Sequence, residues 1–464
     1  MKNRLFIALL ITAAILAATA LAQDDPAEAP PDADAASGAS TYPADVTPLP
    51  QQFQVGLAKV DMTPDPEQRE VRLGGYGGRG KEPATGVLDP VYARALVGRD
   101  AQGELFGIVA LDICHISSDL REKVIEEVAP LGFTEDNLLV TATHSHSSMH
   151  IDRVFVARLI FGPFDQELFD QTVSRAAQAV ILARESMQPA RLEIAHDNIR
   201  GMNRSRLDPA FDVDSSSMTN GLHPDPEKYP VNERMTVIRI STPEGGPLGA
   251  LVHFTAHPTI LSPDSLLISA EFPGVVCGRI ERELGHDTTA IFLNGTLGDT
   301  APTPDWTGDV EVEIGLMHDY GNKLADYAIE TLARVQPMDD LNVAANQARY
   351  EFQKVTIRSL WWAKLPTGPF MLRPDVPFQV VRLGNLVLMA VPGEPTTSVG
   401  LDLKSLCPDE CYCMIVPLAN SHIGYIVSQD EYEGGTYAAS ACMFGPDTAL
   451  KVKQAMAAAV EPIR

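Results

Sequence analysis

Apolar residues in this chain follow two spacings from about residue 54 onwards. Short apolar runs of strand length alternate with amphipathic stretches of helix length. The predicted strands are Phe106–Ile113, Asn137–Thr143, Met235–Ile240, Ala250–Phe254, Ala290–Leu293 and Leu386–Val391. The predicted helices lie near residues 117–130, 166–186, 272–285, 309–334 and 447–460. This alternation predicts an α/β fold in which layered, mixed β-sheets are flanked by helices.

The N-terminal segment has the pattern of an export signal. Two basic residues precede the apolar run Leu5–Leu21, which ends in a small-x-small sequence. Residues 1–22 are therefore predicted to be a signal peptide, with a retained membrane anchor as the alternative. Residues 23–50 are rich in Ala, Pro and Asp, which predicts a disordered tether. We expect a secreted or periplasmic protein whose residues 51–464 form one domain, large enough for an enzyme, or two closely packed subdomains.

The charge of the chain narrows the choice of partner. The formal net charge is −25, from 36 basic and 61 acidic residues. Cleavage of the signal peptide would remove Lys2 and Arg4 and leave −27. An acidic field of this size repels phosphate backbones, so we expect no nucleic-acid partner.

Six cysteines are present, and three of them stand close together at Cys407, Cys411 and Cys413. In an oxidising compartment this cluster predicts a disulfide rather than a zinc knuckle, because no second pair has finger spacing. The pairing stays open. Cys114 and Cys277 lie in apolar segments, where a buried free thiol is the alternative.

Chemically active side chains follow three of the predicted strands. His144 and His146 come directly after Asn137–Thr143, and residues i and i+2 of an extended backbone face the same side. His257 follows a second strand and Glu394 follows a third. Imidazoles and one carboxylate suit Zn²⁺ with an open water position, so we predict a metal site at the strand ends. Alternatively, the histidines are core or surface residues and Glu394 caps the helix after its turn.

A glycine-rich turn follows the predicted strand Ala290–Leu293. Its backbone amides are able to approach a substrate oxygen closely, which makes it a candidate substrate-binding loop. It lacks the lysine and the spacing of a phosphate loop, and a purely structural turn is the alternative. The candidate substrate-binding residues are Asn294, Gly295, Gly298 and Asp299.

Taken together, these motifs resemble the N-terminal catalytic domain of the neutral (alkaline, non-lysosomal) ceramidases. The similarity extends over nearly the whole chain after the tether. The segments that carry it are Val55–Pro64, Thr143–Ser147, Asn203–Ser205, Phe254–Thr259, Asn294–Pro302, Pro392–Thr397 and Tyr425–Pro446.

The resemblance implies an activity and a set of site residues. It implies a zinc-dependent amidohydrolase that cleaves ceramide-like N-acyl lipids to a fatty acid and a sphingoid base or amine. It also implies zinc ligands and residues that contact the scissile amide. The implied ligands are His144, His257, Glu394 and Tyr425, and the implied catalytic residues are His146, Arg204 and Tyr437.

Two departures from the family pattern leave alternatives open. Ala301 stands where the family has a serine, and the chain is expected to lack the family's immunoglobulin-like C-terminal domain. Because of these departures, a first alternative is a catalytically impaired, zinc-containing lipid- or ligand-binding protein. A second alternative is a zinc esterase or amidase that acts on a smaller N-acyl metabolite. Its partner is an N-acylated lipid or small molecule, and contact with a membrane surface stays open.

Overall fold

The computed structural model describes residues 52–207, 229–355, 365–366, 373 and 375–463. These residues belong to one compact unit that begins at residue 52. The predicted signal peptide, residues 1–22, and the predicted tether, residues 23–50, lie outside the described residues. Both stay predictions.

The described part of the chain alternates between strands and helices, as the hydrophobic spacing predicts. The strands are β1 (Gln54–Asp61), β2 (Gly86–Val87), β3 (Tyr92–Arg99), β4 (Leu105–Leu111), β5 (Leu138–Ala142), β6 (Gln188–Pro189), β7 (Arg191–Asn198), β8 (Asn203–Ser205), β9 (Arg234–Ser241), β10 (Pro247–Phe254), β11 (Leu267–Ile268), β12 (Thr289–Asn294), β13 (Thr300–Pro302), β14 (Gln336–Pro337), β15 (Val343–Glu351), β16 (Lys354–Val355), β17 (Leu365–Pro366), β18 (Asp375–Leu383), β19 (Leu386–Ala390), β20 (Glu394–Pro395), β21 (Tyr412–Val416) and β22 (Tyr425–Ile426). The helices are α1 (Ser118–Val128), α2 (Phe155–Phe161), α3 (Gln166–Glu185), α4 (Glu271–Leu284), α5 (Val310–Leu332), α6 (Thr397–Lys404), α7 (Gln429–Gly434), α8 (Tyr437–Ala441) and α9 (Thr448–Val460).

Three larger sheets share one design. Their strand orders are β5-β4-β3-β1-β6, β12-β10-β9-β7-β14 and β15-β18-β19-β21. Each is antiparallel except for one parallel pair at its edge: β4 with β5, β10 with β12, and β19 with β21. A helix lies between the members of each pair along the chain, namely α1, α4 and α6. The fold therefore contains three β-α-β units, whose strands end in loops that carry polar side chains.

One apolar cluster joins the three sheets. It contains Ile108 of β4, Leu251 of β10 and Leu388 of β19, and all three side chains are buried. Separate clusters join each sheet to the helices on its other face. The prediction of an α/β fold with layered mixed sheets flanked by helices is confirmed.

Three of the helices begin directly after a polar residue that caps them. The side chains of Ser117, Asp165 and Asp309 each accept a backbone N–H from the first turn of α1, α3 and α5. Such caps satisfy amide groups that have no partner within the helix. These contacts explain why the predicted helix boundaries lie within a few residues of the observed ones.

The cysteines and the helix lengths each add one further observation. Cys407 and Cys413 form a disulfide, which resolves the pairing that the sequence left open, and the other four cysteines are free thiols. Across the residues described, we find no helix with the length and apolar character needed to cross a membrane.

Candidate metal centre

His144 and His257 are held in the same way by different loops. Each follows the first or second strand of a β-α-β unit and is almost fully buried. The Nδ1 atom of His144 donates to the carbonyl of Cys114 at 2.6 Å, and that of His257 donates to the carbonyl of Leu297 at 2.6 Å. Because Nδ1 is engaged in both rings, both Nε2 atoms are left to face the interior of the site.

The Glu394 carboxylate lies opposite these two nitrogens. Its Oε2 atom is 3.2 Å from Nε2 of His257 and 3.6 Å from Nε2 of His144. The side chain is 5% exposed, and Oε2 has no hydrogen-bond partner among the described residues. The ligand atoms of the three residues all lie within 4.8 Å of one another. This arrangement fits a metal ion, because buried acceptor atoms that face each other need a cation between them.

The pKa values of the three residues also indicate a site that favours a positive charge. Burial opposes ionisation of Glu394, but the imidazoles around it hold the pKa of its carboxyl well below the usual range. Burial holds the pKa of His257 well below its usual value, so its ring is neutral. Burial also opposes a charge on His144, yet Cys114 and Glu394 raise the pKa of this ring to about 10. A proton on His144 therefore partly balances the carboxylate, and a bound metal would replace that proton.

Tyr425 completes the set of candidate ligands. In the short parallel pair β20–β22, Glu394 and Tyr425 are register partners, so the two side chains start from neighbouring positions. The Tyr425 hydroxyl is 3.4 Å from Nε2 of His257. The structure thus brings together all four residues that the resemblance implies as ligands.

Two of the three implied catalytic residues lie at the same place. Nε2 of His146 is 3.1 Å from Nε2 of His144, and the ring of Tyr437 stands edge-on to Tyr425 at 5.8 Å. Both side chains line a cavity of about 170 Å³ that Glu394 also lines. Tyr437 is 45% exposed and stands where the cavity meets solvent.

Arg204 contacts other residues, and a neighbouring arginine contacts the candidate ligands. The guanidinium of Arg204 pairs with Asp305 and donates to the carbonyl of Pro302. Nη1 of Arg206 is instead 3.3 Å from Nε2 of His257 and 3.4 Å from the Tyr425 hydroxyl. Sequence reasoning missed Arg206, although its place two residues after Arg204 was a signal. A direct role for Arg204 at the scissile amide stays a prediction.

The glycine-rich loop lies behind the histidines. The Asn294 side chain bridges the loops after β5 and β10 by donating to the carbonyls of Thr143 and Ala256. The amide of Gly295 donates to the carbonyl of Phe254, and that of Gly298 donates to the carbonyl of Pro395. None of the four predicted substrate-binding residues is among the described residues that line the cavity. Their hydrogen bonds position the ligand loops, and direct substrate contact by Asn294, Gly295, Gly298 or Asp299 stays a prediction.

Asp299 anchors the helix that follows Glu394. One of its carboxylate oxygens accepts the backbone N–H and the hydroxyl of Thr397, the first residue of α6. Burial raises the pKa of this carboxyl from 3.8 to about 6. The folded chain therefore keeps the proton to a higher pH than the unfolded chain does, so the carboxyl's contribution to stability is lost as the pH rises from about 4 to about 6.

Replacing Asp299 with asparagine should remove this pH dependence while keeping an acceptor for Thr397. Between about pH 4 and pH 7, we expect the free energy of unfolding of Asp299→Asn to rise relative to wild type by up to about 3 kcal/mol. Urea denaturation of both proteins across this range measures the difference. A difference that does not change with pH would contradict the assigned ionisation.

Comparisons with known proteins identify the family of the chain. Residues 53–310 and 363–454 match the family described as neutral/alkaline non-lysosomal ceramidase, N-terminal. The chain belongs to this family. Family membership supports hydrolase activity on the amide bond of ceramide, and the resemblance noted in the sequence is confirmed.

Individual relatives have low sequence identity to this chain, but the similarity covers most of its length. Neutral ceramidase A of Dictyostelium discoideum is 24% identical over 85% of this chain and 70% of its own length. The neutral ceramidase of Mycobacterium tuberculosis is 23% identical over 89% of this chain and 77% of its own. The solved structure of neutral ceramidase from Pseudomonas aeruginosa superposes with a TM-score of 0.75 at 20% identity, covering 89% of this chain and 75% of that one. A ceramidase complexed with C2 gives a TM-score of 0.77 at 19% identity, covering 89% and 76%.

Proposed function

We propose that this protein is an exported, zinc-dependent amidohydrolase that cleaves the N-acyl amide of ceramide-like lipids to a fatty acid and an amine. One observation carries the proposal. The Nε2 atoms of His144 and His257 and the unpartnered Oε2 of Glu394 converge within 4.8 Å in a buried site beside a cavity. Family membership supplies the ceramide-like substrate.

The donor set supports zinc as the metal. Two imidazole nitrogens and one carboxylate form the three-residue ligand set that is usual for Zn²⁺ where a position stays open for water or substrate, and the Tyr425 hydroxyl adds a further oxygen donor. When bound there, Zn²⁺ lowers the pKa of a water molecule and polarises the amide carbonyl.

The surrounding residues supply proton transfer and charge stabilisation. Burial lowers the pKa of His146, so its ring is neutral near pH 7 and able to accept a proton. His146 would take the proton that the attacking water molecule loses and pass it to the amide nitrogen as the C–N bond breaks, which releases the amine and leaves the fatty acid. Tyr437, at the mouth of the cavity, donates a hydrogen bond to the carbonyl oxygen of the substrate. Arg206 adds a positive charge next to the Tyr425 hydroxyl. This charge stabilises the negative charge that develops on the carbonyl oxygen of the substrate.

Ala301 is compatible with this mechanism. It lies in β13, where it is the register partner of Arg204, and it is 3% exposed. It is not among the described residues that line the cavity. We therefore infer that chemistry at the metal does not require a hydroxyl at this position.

Export is part of the proposal. It is supported by the signal-like pattern of residues 1–22 and by the Cys407–Cys413 disulfide, since disulfides persist mainly in oxidising compartments. A secreted or periplasmic location would also give the enzyme access to extracytoplasmic lipids.

Metal analysis combined with an activity assay tests the proposed function. We expect about one zinc ion per purified chain and release of fatty acid from a fluorescent short-chain ceramide. Release should fall when a chelator is added and return when zinc is restored. Zinc without product would favour a binding role, and cleavage of activated esters alone would favour an esterase. A chain without zinc would show that the ligand set is wrong.

A further inference from the structure

A second group of metal-ligating side chains lies beside the candidate metal centre. Cys114, His144 and His146 also offer one ligand atom each within 4.8 Å of one another. We call these three residues the thiol set. We call His144, His257 and Glu394 the carboxylate set. Only His144 belongs to both sets, and the function proposed above needs no metal ion in the thiol set.

His144 stands between the two sets. The centroid of its ring is 4.6 Å from that of His146 and 4.7 Å from that of His257. Its Nε2 atom is 3.1 Å from Nε2 of His146 and 3.6 Å from Oε2 of Glu394. Its Nδ1 atom donates to the carbonyl of Cys114, so Nε2 is the one nitrogen left for a metal ion. The two sets are therefore alternatives, because an ion in one set removes His144 from the other.

The other two members of the thiol set are close to His144 and reach the same cavity. Sγ of Cys114, a free thiol, is 3.8 Å from Nδ1 of His144. Nδ1 of His146 is buried and has no hydrogen-bond partner among the described residues. All three members line the cavity, which meets solvent beside Tyr437. A metal ion is therefore able to reach the thiol set and to engage donor atoms that the folded chain leaves unpaired.

Sulfur distinguishes the thiol set from the carboxylate set. Each set offers two imidazole nitrogens and one anionic ligand, since the Cys114 thiol would lose its proton to solvent when a metal ion binds. The charge that each set presents is therefore the same. Thiolate sulfur favours soft cations, whereas carboxylate oxygen favours harder ones. Cd²⁺ is softer than Zn²⁺, so we expect it to prefer the thiol set.

We propose that Cys114, His144 and His146 form a second metal position, which takes soft cations such as Cd²⁺ in place of zinc, and that the protein is inactive while this position is filled. The inactivation rests on the proposed amidohydrolase function. An ion in the thiol set would engage His146, which transfers the proton, and would withdraw His144 from the zinc. The binding itself does not rest on any hydrolytic activity.

Ultraviolet absorption tests the binding directly. A bond between Cd²⁺ and a thiolate gives an absorption band that bonds from Cd²⁺ to nitrogen or oxygen lack. When the purified full chain is titrated with Cd²⁺, we expect this band to level off at about one ion per chain. Cys114→Ser and Cys114→Ala should lose the band. Cys277→Ser, which removes another buried free thiol, should keep it.

Inhibition tests the consequence of binding. We expect Cd²⁺ to stop fatty-acid release from a short-chain ceramide by the zinc-loaded chain. The Cd²⁺ concentration that halves the rate should rise by at least about 100-fold in Cys114→Ser, because a direct ligand contributes more than residues that only orient ligands. It should not change in Cys277→Ser. Cys114→Ser keeps the backbone carbonyl that holds His144, so elemental analysis should find as much zinc in it as in wild type.

The two measurements separate this proposal from the proposed function. A band of equal size in Cys114→Ser, or Cd²⁺ binding to wild type without a band, would overturn the second position. Equal inhibition of wild type and Cys114→Ser would overturn its role in inactivation, while the proposed function stands. If wild type hydrolyses no amide but the band depends on Cys114, the proposed function fails and the second metal position stands.

Discussion

Replacing His257 with alanine is expected to remove the metal and to lower amide hydrolysis by at least about 1,000-fold. Its Nε2 atom is the nitrogen closest to the Glu394 carboxylate, at 3.2 Å, and it is also the nitrogen that Tyr425 and Arg206 approach. Loss of a direct ligand should cost more than the 10- to 100-fold usual for residues that only orient ligands. Elemental analysis and fatty-acid release from short-chain ceramide measure the two effects.

His253 provides a matched control for this change. It lies in β10, four residues before His257, and is also buried. Its Nε2 atom is 2.9 Å from the carbonyl of Ile415, and His253 is not one of the proposed ligands. His253→Ala should therefore lose about 2 kcal/mol of stability and keep its metal. Both variants lose a buried imidazole, so only metal content and hydrolysis should separate them. Full metal content and full hydrolysis in His257→Ala would refute the assigned centre.

The strands that could be predicted from the sequence are those buried on both faces. β5, β12 and β19 consist entirely of buried residues, and each stands out as a continuous apolar run. β15 could not be found in this way. All nine of its residues are half-buried or exposed, so neither an apolar run nor a clear alternation marks it. Its place is set by pairing with β18, whose residues lie about thirty positions further along the chain.

The three central ligand candidates were predictable for a related reason. Each of them follows a strand of a different β-α-β unit: His144 follows β5, His257 follows β10 and Glu394 follows β19. The ends of three apolar runs therefore indicate their positions. Tyr425 follows no such run. It reaches the centre through the two-residue pair β20–β22, and only the resemblance to the ceramidases suggested it.

The residues that sequence reasoning missed depend on contacts between distant parts of the chain. Arg206 meets Tyr425 across 219 positions of sequence, and His115 stacks on His422 from a different sheet. Single histidines and arginines in loops have no local pattern that separates them from surface residues. These contacts therefore become visible only once the three sheets are packed together.

Replacing Gly75 with alanine is expected to lower hydrolysis by about 100-fold while the metal stays bound. Gly75 has a φ of 86°, and a Cβ atom at this position would stand only 2.6 Å from Nδ1 of His146. The side chain would have to displace the imidazole that transfers the proton, and a displacement of about 1 Å costs roughly this much in rate. Because Gly75 touches none of the four candidate ligands in these contacts, metal content should not change.

Gly80 separates this displacement from backbone strain. Its φ is 77° and its ψ is −150°, a conformation that alanine adopts only at a cost of about 1–3 kcal/mol, but nothing lies within 4 Å of the Cβ position. Gly80→Ala should therefore lose stability and keep its hydrolytic rate. Chemical denaturation, metal analysis and kcat for both variants form the test. If the two variants lose activity equally, strain in the loop rather than the position of His146 controls the rate, and the role assigned to His146 would be wrong.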